Sequence, residues 1–264
     1  MEAIRFGICA GPDQVARAAR SGYDYIELDL NRVLALDEDA YRAMAAQMEH
    51  FGVYAEVVHS PLPEGSAIVG EGVSAQKLHE DLSRSFELAR MLGAELVVFD
   101  CPASRLLPRA FDPAMAWRQL GNFIRILQGH AADNDLRAAL LPLRRSAADM
   151  MNYTSEAALI SAMLRLDRVG VAASSYNMAM EAESLHQLKR AGSLLWHMRT
   201  SNVLGNRAPK MNDGEDYAAL FAALREMGYA GRITMEGSCA DFDADAAAAL
   251  VCLKNAWRIA EAGN

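Results

Sequence analysis

Glu236 and Arg199 are the residues of this chain best suited to proton chemistry: a carboxyl that can take or return a proton, and a permanently charged guanidinium that can steady a negative oxygen. His59 and His197 add imidazoles, Arg144 and Arg207 add forked donors, and Tyr176 and Asn177 add a stacking ring and an amide for a ligand rich in hydroxyls. Each has a plainer reading. Glu236 could form a structural ion pair with Arg199 or Arg144, His59 could bond to backbone, and His197, flanked by Trp196 and Met198, is favoured as a packed histidine. Arg207 could simply be solvated, and Tyr176 and Asn177 could pack a loop. In Asp100-Cys101-Pro102 no base neighbours the thiol in sequence, so an inert cysteine is favoured over a nucleophile.

These residues sit at the ends of short apolar runs that alternate with amphipathic stretches, the pattern of strand–helix units around a parallel sheet. The runs are 4–9, 25–30, 53–59, 96–100, 137–141, 169–173, 194–199 and 232–236. Helices are expected from Gly11-Pro12 through Arg20 and over 37–51, 74–92, 114–132, 186–191, 217–227 and 246–261, with long loops at 60–72, 101–113 and 200–216. No linker or composition break divides residues 1–264, so the expectation is one closed (β/α)8 TIM barrel whose functional loops follow the strands. Glu27 and Asp29 alternate with Ile26 and Leu28, which turns both acids to one side of the second strand.

Composition removes several classes of function. A net charge of −8 with scattered basic residues opposes nucleic-acid binding, which depends on cations that displace counterions from phosphates. Apolar stretches such as 138–143 are far short of a membrane span. Cys9, Cys101, Cys239 and Cys252 form no CxxC pair, and the N-terminus lacks a basic region followed by an apolar one, so a cytoplasmic location is expected. No glycine-rich phosphate loop follows a strand, which leaves nucleotide cofactors without support. The methionines, Met150, Met151, Met163, Met178 and Met180 among them, read as packing.

Four segments resemble the xylose-isomerase-like barrel superfamily of sugar isomerases and epimerases: Gly22–Leu28, Leu141-Pro-Leu-Arg144, Ala173–Met178, and His197-Met-Arg199 with Asn206–Pro209 and Ile233–Glu236. Members resembling tagatose epimerases bind a divalent cation through a Glu after strand five, an Asp after strand six, a His after strand seven and a Glu after strand eight. In this chain those positions fall on Leu141, Ser174, Arg199 and Glu236, and a sugar-binding His falls on Asn177. A further Glu of the family has no counterpart at Ser146, Ala147 or Ala148. Magnesium and manganese require hard, preferably anionic oxygens, and a guanidinium in the same place repels them. The expectation is therefore a mouth without metal or other cofactor, with Arg199 partly replacing the cation and pairing with Glu236.

The resemblance implies a small carbohydrate or polyol as ligand, with Glu236 and Arg199 as catalytic residues and His59, Tyr176, Asn177, His197, Arg207 and Arg144 around the substrate. The leading function is isomerase- or epimerase-like proton transfer. The alternative is a non-catalytic carbohydrate-binding or partner subunit, which the lost acids favour. Endonuclease-like DNA repair fails on charge and on the missing metal cluster. The resemblance also allows a homo-oligomer, with Pro61–Gly72 as the suspected pairing loop.

Overall fold

The computed structural model describes residues 4–262. Its strands are β1 (Arg5–Ala10), β2 (Tyr25–Asp29), β3 (Val57–His59), β4 (Leu96–Phe99), β5 (Arg137–Leu140), β6 (Val169–Ser174), β7 (Leu195–Thr200) and β8 (Arg232–Met235). All pair in parallel, in chain order, and β8 returns to β1 to close the barrel. Outside lie α1 (Val15–Arg20), α2 (Leu30–Leu34), α3 (Glu38–Phe51), α4 (Ala75–Met91), α5 (Pro113–Asp133), α6 (Thr154–Leu164), α7 (Ser175–Met180), α8 (His186–Ala191), α9 (Tyr217–Glu226) and α10 (Phe242–Ala262).

Local signals account for most of these elements. β4 and β6 are buried along their whole length, as strands covered by helices must be. Asp37 and Ser74 cap α3 and α4 by accepting the Ala40 and Lys77 amides, and Gly52 ends α3 in the left-handed region at φ 63°. Apolar residues facing outward pack with the helices into one large core. Those facing inward, including Tyr25, Val57, Leu96, Val98, Ala139, Leu141 and Ala172, form a separate cluster along the barrel axis. Gly7 is required there: a Cβ at that position would lie 2.2 Å from the Tyr25 ring.

The layout differs from the expected one in a few places. β3 pairs only from Val57, because residues 53–56 lead in as extended chain that still accepts the Ile26 amide at the Tyr54 carbonyl. α10 starts at Phe242 because the Asp241 carboxylate accepts the Asp243 and Ala244 amides ahead of the alanine-rich run. α2 and α7 are turns of helix set directly after strands and capped by Asp29 and Ser174, too short to show a period. α6 carries apolar residues on nearly every side, so no amphipathic stripe marks it.

Candidate active site in the barrel mouth

Glu27 is the centre of the site. It points inward from β2, is fully buried, and receives Arg199 of β7 through Nε at 2.8 Å and Nη2 at 2.5 Å, both on Oε1. His197, two residues earlier on the same strand, lies 2.9 Å from Oε2 through Nε2. That contact fixes the proton on Nε2 if the ring is neutral, and leaves Nδ1 buried without a partner. Thr234 of β8 and Tyr25 of β2 continue the network down the axis, with Tyr25 Oη 2.8 Å from Thr234 Oγ1. Burial would push the Glu27 carboxyl up, but Arg199, then His197 and His59, outweigh it and hold it well below the usual carboxylate range.

Arg199 also donates through Nη1 to Asp100 Oδ2 at 2.9 Å. Burial opposes ionisation of Asp100, yet Arg199 and His59 keep that carboxyl below its ordinary value. Asp100 is anchored in turn by the Ser60 amide at 2.9 Å, and Ser60 holds a left-handed φ of 57° to make that bond. The guanidinium thus joins two ionised carboxylates, the arrangement in which a buried arginine is tolerated. The expected pair of Arg199 with Glu236 is the looser contact, 3.8 Å from Nη1 to Oε2, because Glu27 and Asp100 take the nearer N–H groups.

Glu236 follows β8 with its carboxyl at the mouth, its side chain 11% exposed. Ser174 Oγ, at the end of β6, donates to Oε1 and accepts the Asn177 amide at 3.2 Å. Burial raises the pKa of Glu236, opposed by Arg199 and by the Ser174 bond. Two carboxylates held ionised and one held toward its neutral form, all around a single guanidinium, is a division of labour suited to proton transfer.

His59 of β3 faces the same space, with Nδ1 3.6 Å from Glu27 Oε1 and Nε2 3.9 Å from Asp29 Oδ2. His197 is packed at 0% exposure and supports Glu27 from below. Asn177 and Tyr176 lie on α7 instead of in a loop: the Asn177 amide oxygen accepts the Arg144 backbone N–H at 3.3 Å, and the Arg144 guanidinium lies 5.2 Å over the Tyr176 ring. Arg144 is therefore stacked at the rim and does not pair with Glu236. Arg207 is set apart. It donates to the Leu204 carbonyl at 2.7 Å and lines a cavity of about 440 Å³ with Lys210, Asp213, Ser238 and Cys239, none of which belongs to the Glu27 network. The Arg207 backbone serves the fold there, since a Cβ on Gly237 would lie 2.2 Å from its carbonyl. Burial and the Asp100 charge push the Cys101 thiol up to about 12, which makes it a poor nucleophile.

The comparisons with known proteins agree with this barrel. The family model of the xylose isomerase-like TIM barrel matches residues 15–256. The chain belongs to that family. Among solved structures, an L-ribulose 3-epimerase superposes with a TM-score of 0.83 at 17% identity, over 99% of this chain and 97% of that one. A D-allulose 3-epimerase from Methylomonas sp. gives 0.82 at 18% identity over 97% and 99%. A 3-keto-D-glucoside 4-epimerase from E. coli gives 0.79 at 20% over 96% and 100%. At these identities the likeness shows the fold alone. No curated protein sequence matches the chain significantly.

The donor set of this xylose isomerase-like mouth does not fit the divalent cation that the resemblance implies. Leu141 is buried and apolar, its carbonyl already accepts Arg105 Nη1 at 3.0 Å, and the Ser174 hydroxyl is committed between Asn177 and Glu236. Arg199 adds a fixed positive charge. Among the described residues one other group gathers ligand atoms, Cys9, Glu27 and His59, within 4.8 Å of one another. There too both Glu27 oxygens are engaged, by Arg199 and His197, and burial and the Glu27 charge push the Cys9 thiol well above its usual range, away from the thiolate a metal binds.

Proposed function

We propose that the mouth carries out isomerase- or epimerase-like proton transfer on a small hydroxy-ketone sugar, without a divalent metal at Glu236. The observation that carries this reading is the Glu236 carboxyl, pushed by burial toward its neutral form, facing the Arg199 guanidinium at 3.8 Å. Glu236 Oε2 would take the proton from the carbon beside the carbonyl. The C–H electron pair forms the enediolate, Arg199 Nη1 stabilises its oxygen, and the proton returns from Glu236 to carbon. Replacing a divalent ion by one guanidinium, most of whose donors face Glu27 and Asp100, weakens that stabilisation and makes turnover slow. His59 and Asn177 would contact the ligand, and Tyr176 and Arg144 would close its rim. His197 acts through Glu27. The four free cysteines accord with a reduced, cytoplasmic setting, and among the described residues no helix is long and apolar enough to cross a membrane.

A non-catalytic carbohydrate binder is the second reading, favoured by the commitment of Arg199 Nε, Nη1 and Nη2 to protein carboxylates. Incubating the chelator-treated protein with D-fructose, D-tagatose, D-allulose and L-ribulose in D₂O separates the two. NMR is expected to show deuterium entering a carbon next to the carbonyl of at least one ketose, with E236Q slower by about 100-fold or more. Binding without exchange supports the second reading. Exchange that requires added metal, or that survives E236Q, contradicts the first.

A further inference from the structure

We infer that Ser174 is a positioning residue that holds Glu236 away from Arg199 and so keeps open the gap in which a substrate oxygen sits. The inference rests on the acid–base reading of Glu236. Ser174 occupies the end of β6, and its single hydroxyl bridges two groups: it accepts the Asn177 N–H at 3.2 Å and donates to Glu236 Oε1. With that N–H on its lone pair, the hydroxyl proton is free to point at the carboxylate, so its direction is set by the backbone of α7. Oε1 is thereby occupied as an acceptor. Oε2, the oxygen nearer Arg199, is left to hold or release the proton.

The separation of Arg199 Nη1 from Glu236 Oε2 is 3.8 Å, too long for a hydrogen bond. An oxygen beside the gap can accept from the guanidinium at about 2.8 Å while the C–H next to its carbonyl carbon is turned toward Oε2. Among the described residues the side-chain hydrogen bond to the Glu236 carboxylate comes from Ser174 alone, and its own backbone N–H goes to the Thr200 carbonyl at 3.1 Å. Freed from Ser174, a carboxylate this close to a guanidinium closes into a direct ion pair. That closure would consume an Nη1 donor not already spent on Asp100 and shut the site.

Crystal structures of S174A, S174D and S174T at one pH test the inference without any need for turnover. S174D keeps an oxygen that can cap α7 but removes the donor and adds a like charge beside Glu236; S174T keeps the hydroxyl. Nη1 to Oε2 is expected to close to about 2.9 Å in S174A and S174D and to stay open in S174T. Retention of the gap in both S174A and S174D would show that Ser174 only caps a helix and would overturn the inference. If the gap closes as expected while the wild type exchanges no deuterium into any ketose, the positioning role stands and the catalytic reading falls.

Discussion

Glu236 and Glu27 show how two carboxyls of one type are driven in opposite directions within one barrel. Both lose solvent, but Glu27 gains two N–H bonds from Arg199 and a contact from His197, while Glu236 has a hydroxyl and a guanidinium 3.8 Å away. Because burial wins at Glu236, its folded pKa lies above the unfolded one. Its contribution to stability is full below the unfolded pKa and is lost as pH rises through the folded value. E236Q removes that loss and keeps an oxygen for Ser174, so urea melts should show the variant gaining on the wild type as pH rises above the ordinary carboxylate range. No such gain is expected at pH 4. Glu27 has the opposite sign: its depressed pKa supplies stability that is present above the unfolded pKa and is lost as pH falls through the folded one.

At the scale of elements, alternation along the strands places the chemistry. Gly7 and Cys9, Tyr25 and Glu27, Ala172 and Ser174, His197 and Arg199, and Thr234 and Glu236 each step two residues up the inside of the barrel, from packing layer to mouth. That alternation is visible in the sequence wherever a strand ends in a polar residue, which is why Glu236, Arg199 and His59 are legible as mouth residues. The hub at Glu27 is harder to see, because Tyr-Ile-Glu-Leu-Asp reads as an acid alternating with apolar neighbours and does not reveal which carboxylate is fully buried. Its partner Arg199 lies 172 positions away, and Asp100, the other carboxylate on that guanidinium, lies 99 positions from Arg199, separations no local pattern encodes. The packing layer below is just as exacting. Gly7→Ala sets a methyl group against the Tyr25 ring and its bond to Thr234, and chemical denaturation should register a loss of about 1–3 kcal/mol. An unchanged midpoint would mean that the ring has room to move.

The whole molecule is a barrel of the xylose isomerase-like family, closed by eight parallel strands in chain order. The frame is legible because hydrophobic periodicity fixes strand and helix order, and it is not legible at the short capped helices α2 and α7 or at α6, where periodicity is weak. The expected pairing of Arg199 with Glu236 is present as the longest of three ion pairs, because Glu27 of β2 and Asp100 just after β4 bring nearer carboxylates to the same guanidinium. In the proposed reading the Arg199 guanidinium takes the place of a bound cation. Elemental mass spectrometry of the protein, saturated with Mn²⁺, Mg²⁺, Co²⁺ or Zn²⁺ and then freed of unbound ions, tests it most directly. Far less than one metal per chain is expected with each ion. One metal per chain, lost in E236Q or in C9S, would contradict it.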